Sequence, residues 1–128
     1  MITLKTIEDT KQIKLFYTKE NLEFNEFSNC LCAKDGEEVL GYCLFDIKGA
    51  QMIIRAINPQ DDLMLLDGVL RSTLHIAASR NLEEAVAIEK SPLDIFKTLG
   101  FLKEDNKLNI AKLYESGCSG CKNKNADS

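Results

Sequence analysis

Residues Ala56 to Leu82 read AINPQDDLMLLDGVLRSTLHIAASRNL, and the fold turns on how this stretch is parsed. An apolar run, Met52 to Ile57, leads to Asn58-Pro59 and two aspartates, then to a long amphipathic pattern. Leu63, Leu66, Leu70, Leu74 and Ala77 recur at steps of three or four, which places them on one face of a helix. A strand, a sharp connection and a helix together can aim backbone N–H groups at an anion.

Strand patterns flank this unit. Met1 to Thr6 alternates as a short strand, and Glu8 to Leu22 carries Ile13, Phe16 and Tyr17 at helical spacing, with Thr6 or Asp9 as cap. Asn29 to Lys34, Val39 to Lys48 and Ala50 to Ile57 read as an antiparallel meander turned at Asp35-Gly36 and Lys48-Gly49. After the long helix, Ser79-Arg80-Asn81 is a polar stop in which Asn81 can turn left-handed. Ala85 to Glu89 is a buried strand; Ser91 as N-cap and Pro92 in the first turn open a helix carrying Leu93, Phe96 and Leu99, which Gly100 ends. Phe101 to Leu113 reads as two short strands around Asp105-Asn106. The expected fold is α/β (α+β): one domain over residues 1–114, a mixed and mostly antiparallel sheet with helices on both faces, then a polar tail over 115–128.

The composition is that of a soluble globular chain. Of 128 residues, 45% are apolar and 28% charged, and the net charge of -4 with no basic stripe argues against a nucleic-acid partner. No window reaches the roughly 18 apolar residues of a membrane span, and the N-terminus lacks an apolar signal core, so a cytoplasmic protein without a membrane partner is expected. Cys30, Cys32 and Cys43 lie in strand-like text as small hydrophobes rather than disulfide partners.

The element order, Ile57-Asn58-Pro59 before the long helix, and the late Phe96-Lys97-Thr98-Leu99-Gly100-Phe101 together resemble the GNAT superfamily of acetyl-CoA-dependent N-acetyltransferases, over nearly the whole chain to Tyr114. The resemblance implies a divergent acetyl-CoA-dependent N-acetyltransferase acting on a small-molecule or peptide amine, with homodimerisation left open. It also implies that acetyl-CoA or coenzyme A is held by backbone groups of Ile57 and Asn58 and by the Asp67–Arg71 segment (Asp67, Gly68, Val69, Leu70, Arg71). The amine would enter from the opposite side of splayed central strands. In the family the cofactor loop carries Arg or Gln, then glycines whose backbone cradles the pyrophosphate. Leu65, Gly68 and Leu70 align with those places, so the basic residue and one small residue are gone. An equally weighted alternative starts the helix near Asp61, with Asp67 and Arg71 as an i,i+4 pair and Gly68 as an ordinary helix glycine.

The family's catalytic groups are replaced as well. Its fourth-strand glutamate has no counterpart in Gln51 to Ile57, and Phe96 stands where a tyrosine commonly acts as general acid. Glu89 or Asp46 is the substitute base to consider, while His75, inside the long helix, lacks a placed partner. Cys118-Ser119-Gly120-Cys121 has the spacing of half a zinc site or a dithiol, with a thiol, metal or incidental role open. The alternative to an enzyme is a GNAT-fold binding protein that has lost coenzyme A.

Overall fold

A computed structural model describes residues 1–108 and 110. The element order is β1 (Ile2–Thr6), α1 (Thr10–Lys19), β2 (Ser28–Asp35), β3 (Glu38–Lys48), β4 (Gln51–Asn58), α2 (Leu63–Ser79), β5 (Glu84–Lys90), α3 (Leu93–Thr98), β6 (Leu102–Glu104) and β7 (Lys107–Leu108). The strands form one sheet in the order β1-β2-β3-β4-β5-β7-β6. Every pairing is antiparallel except β4 with β5, where the chain crosses over through α2. Mixed α/β architecture with helices on both faces is therefore as expected. Among the described residues no helix is long and apolar enough to cross a membrane.

The expected turns form. Gly36 (φ 65°) and Gly49 (φ 63°) take the left-handed conformation in two-residue connections, and Asp105 (φ 45°) turns β6 into β7. Asn81 (φ 57°) ends α2, and the Leu82 N–H donates back to the Ala77 carbonyl at 2.9 Å. Asp9, not Thr6, caps α1, accepting from the Lys11 N–H at 2.9 Å. The Ser91 expectation is corrected: Pro92 is the α3 N-cap position, and the Ser91 hydroxyl instead lies 3.0 Å from the Ile54 carbonyl and 2.8 Å from that of Ile88. Leu63 is also not part of the buried stripe; it is the first residue of α2 and is 47% exposed.

The two faces of the sheet are packed differently. Leu66, Val69, Leu70, Leu74 and Ala77 of α2, joined by Phe96 of α3, cover Phe45, Met52, Ile54 and Ile57. Ile13 and Tyr17 of α1 cover Cys30, Tyr42, Leu44 and Ala56. Strict alternation along β4 would put Ala56 on the same face as Met52 and Ile54. One extra residue reverses the parity: Leu44 pairs with Ala56 and Phe45 with Ile54, leaving Arg55 as the bulged residue. Arg55 and Ala56 thus both face α1, and Ile57 returns to the α2 face.

Candidate active site

The bulge decides where the site forms. Along the parallel ladder β4 and β5 pair from Gln51↔Glu84 to Ala56↔Lys90, again with a shift between Ile54 and Ala56. Beyond that point Ile57 and Asn58 continue along β3 alone, opposite Cys43 and Tyr42. The strands part at Ser91, whose hydroxyl bonding to Ile54 and Ile88 pins the fork.

Arg55 is held by a buried polar network on the α1 face. Its Nη1 donates to Asp46 Oδ2 at 2.9 Å, with both side chains only 10% exposed. Its guanidinium lies 5.8 Å from the centre of the Tyr17 ring, and Nη1 approaches the Glu23 carbonyl at 3.4 Å. The Tyr17 hydroxyl lies 3.0 Å from Asp46 Oδ1 and from the Phe45 carbonyl, and accepts from the Asn29 N–H at 3.3 Å. Burial, then the Asp46 charge, raise the Tyr17 pKa well above its ordinary value, so its hydroxyl stays protonated. Asp46, considered as a base from the sequence, is committed to Arg55 and Tyr17 instead.

On the α1 side of the parted strands lies a cavity of about 540 Å³, lined by Lys19, Glu20, Tyr42, Ala56, Ile57, Asn58, Gln60 and Asp61. Tyr42 is 2% exposed and its hydroxyl donates to Glu20 Oε2. Burial first, and then Glu20, raise the Tyr42 pKa, so this phenol is neutral across the physiological range. Lys19 Nζ sits 5.6 Å from the Tyr42 ring centre, bringing one cation to the cavity that Glu20 and Asp61 also line. Gly41 makes the close approach that shapes the rim: a Cβ there would meet the Asn58 carbonyl oxygen at 2.6 Å and Pro59 Cδ at 2.8 Å. The Asn58-Pro59 peptide is cis.

The start of α2 is the place to test a coenzyme A diphosphate. Asp62 is the N-cap; its Oδ1 accepts from the Leu65 N–H at 3.1 Å and its carbonyl from the Leu66 N–H at 2.9 Å. Asp61 stands beside it, and Leu63 and Met64 (88% exposed) fill the first turn. The Asp67–Arg71 segment, which the resemblance implies as a cofactor holder, lies inside the helix, where its N–H groups serve the i→i−4 ladder. Val69 and Leu70 are fully buried. Arg71 is paired with Asp67 at 3.0 Å and stacks 5.2 Å from the Phe101 ring centre. Gly68 has a negative φ and open space: a Cβ there would meet nothing within 4 Å. A glycine that cradles a ligand is needed for φ or for close approach, and Gly68 meets neither condition. Among the described residues, the Asp61–Arg71 segment does not fit the diphosphate.

Of the sequence candidates, Ile57 and Asn58 stand at the fork, whereas Phe96 is fully buried in the α2-face core and His75 is exposed on α2. The Glu89 backbone belongs to β5 beside the fork, but its side chain lies outside the described residues, as do Cys118 and Cys121. Sequence reasoning does not single out Glu20, Tyr42 or Arg55. The one available signal is charge: Arg55 and Asp46 are charged residues set inside two adjacent apolar strand patterns.

No family model matches the sequence, and no curated protein is significantly similar to it. Solved structures are similar in fold. The ribosomal-protein-S18-alanine N-acetyltransferase from Escherichia coli superposes with a TM-score of 0.59 at 13% identity, over 82% of this chain and 80% of that one. An IAA acetyltransferase from Bacillus cereus gives 0.59 at 16% identity, covering 82% and 79% of the two chains. A protein from Clostridium acetobutylicum described as a predicted acetyltransferase, crystallised with acetyl-CoA, gives 0.59 at 15% identity, covering 88% and 98%. The fold is that of the GNAT acetyltransferases.

Proposed function

We propose that this chain is a divergent N-acyltransferase that moves an acyl group from a thioester to an amine at the fork between β4 and β5. The observation that carries this reading is the coincidence of the fork with a polar cavity: β4 runs past its last β5 partner at Ala56, and the 540 Å³ space beside Ile57 and Asn58 opens there. The fold similarity supports the same reaction class, and the cavity lined by Lys19 and Glu20 puts the amine on the α1 side in this reading.

The acceptor nitrogen must lose its proton to become a nucleophile, and the cavity carries groups suited to that task. Glu20 and Asp61 attract an ammonium, and the Glu20 carboxylate, bonded to the Tyr42 hydroxyl, takes a proton from it and passes that proton to solvent on the open side. The freed amine attacks the thioester carbonyl carbon, the C–N bond forms as the C–S bond breaks, and the leaving thiolate is protonated from solvent. Tyr42, neutral and fixed, orients the nitrogen rather than acting as a base. Orientation alone supplies much of the rate in such a reaction. A second reading, in which the fold binds without catalysing, is favoured by one observation: Phe96, at the family's usual acid position, is a buried core side chain.

The test is amide formation followed by mass spectrometry, with acetyl-CoA and other acyl thioesters offered to a panel of amines. Acyl transfer that falls about 10²-fold or more in Glu20→Gln and Tyr42→Phe supports the assignment. No amide product from any thioester sinks it and leaves the binding-protein reading.

A further inference from the structure

We infer that this chain recognises its acyl donor through the acyl-pantetheine arm and not through the nucleotide diphosphate, so that a thioester without phosphates serves it about as well as acetyl-CoA. The inference rests on the acyl-transfer reading and adds the chemical class of donor. Two independent observations at the α2 end carry it. The first is electrostatic. Asp62 is spent on capping the helix through Leu65, and Asp61 adds a second carboxylate at the same end. An anionic diphosphate brought there meets the like charge of two carboxylates, one of which already holds the Leu65 N–H. Arg71, the cation within reach along the chain, lies in the third turn, bonded to Asp67 and stacked on Phe101.

The second observation is steric. The glycine that aligns with the diphosphate loop, Gly68, lies within a regular helix, and a methyl group placed on its Cα would meet nothing within 4 Å, so its backbone is not kept bare for a ligand. At the fork the opposite holds. Gly41 is bare because the Asn58 carbonyl and Pro59 crowd it, and Ile57 and Asn58 extend past the β5 ladder without a β5 partner, the Ile57 carbonyl lying 3.4 Å from Gln60 Nε2. Among the described residues the chain therefore keeps the strand-like surface that an extended amide-containing arm can pair with, and carries carboxylates at the helix end where a phosphate would be gripped.

The experiment compares acetyl-CoA with S-acetylpantetheine, as donors in the amine assay and as ligands by calorimetry, in wild type, Asp62→Asn and Gly68→Ala. Asparagine keeps the helix cap while removing the charge. Values of kcat/KM within about tenfold for the two donors are expected, with Gly68→Ala unchanged for both. Asp62→Asn should tighten acetyl-CoA about threefold, from one carboxylate facing two phosphate charges at screened contact distances, and leave S-acetylpantetheine unmoved. A preference for acetyl-CoA of about 100-fold or more, or weaker acetyl-CoA binding in either variant, overturns the inference while acyl transfer stands. Failure of both donors to bind or react overturns the acyl-transfer reading and this inference with it.

Discussion

Replacing Arg55 with methionine tests whether the buried network sets the shape of β4. The guanidinium donates to Asp46 at 2.9 Å, and each side chain is 10% exposed. Removing it strands the Asp46 carboxylate in the α1-face core, with the Tyr17 hydroxyl still bonded to it. Breaking one side of a buried pair costs about 3–5 kcal/mol, because the orphaned charge keeps its desolvation penalty. That is a large fraction of the roughly 5–15 kcal/mol by which a domain is usually stable. At this chain length it corresponds to a melting-point fall of roughly 10–20 °C. Asp46→Asn added to Arg55→Met removes the stranded charge and still accepts from Tyr17, so the double variant should recover about 1–3 kcal/mol of the loss. Urea unfolding with both variants measures the two quantities directly. A loss below about 1 kcal/mol for Arg55→Met, or a double variant no more stable than the single, would refute the claim that this pair is desolvated and holds the bulge.

Three further outcomes are expected. Gly68→Ala should stabilise the fold by about 0.5–1 kcal/mol, since the site has helical geometry and room for a methyl group; thermal melting checks it. Gly41→Ala should destabilise by about 1–3 kcal/mol in urea titrations, because its Cβ would sit 2.6 Å from the Asn58 oxygen and 2.8 Å from Pro59 Cδ. Burial pushes the Cys43 thiol up to about 12 and raises those of Cys30 and Cys32 from an ordinary 9.0, while the Tyr17 and Tyr42 phenols rise from 10.0. The unfolded chain gives up these protons first, so stability should hold below about pH 9 and fall as pH rises; urea midpoints at a series of pH values that stay flat to about pH 11 would contradict this.

Turns and periodic helices are legible in the sequence because their causes are local. Asp35-Gly36, Lys48-Gly49 and Asn81 are needed where the backbone must turn left-handed, and those residue types announce it. The Leu66, Leu70, Leu74 and Ala77 stripe follows from helical spacing alone. The bulge does not announce itself, since Gln51 to Ile57 reads as a plain buried strand until Arg55 finds Asp46 across the hairpin. The Glu20–Tyr42 pair is hidden for another reason: it joins the end of α1 to β3, and only the packed fold brings the two together. Ser91 has the composition of an N-cap but does not act as one, because its hydroxyl has nearer carbonyls to serve at the fork.

The fork and the end of α2 are built by separate devices, which explains how one can persist while the other diverges. The fork depends on parity in β4, on the ion pair that fixes Arg55, and on the bare Gly41 beside Asn58. None of these touches the first turn of α2, where Asp62 accepts from the Leu65 and Leu66 N–H groups. A phosphate-binding loop costs helix stability, through glycines and through N–H groups left for the ligand. Exchanging it for an aspartate cap and leucines strengthens α2 without moving β4. What such an exchange removes is attraction for an anion, and what it leaves is a parted sheet with an acid-lined cavity beside it. A ligand drawn to this site should therefore be cationic on the α1 side and uncharged along the strand, which is the pairing expected of an amine and a phosphate-free thioester arm.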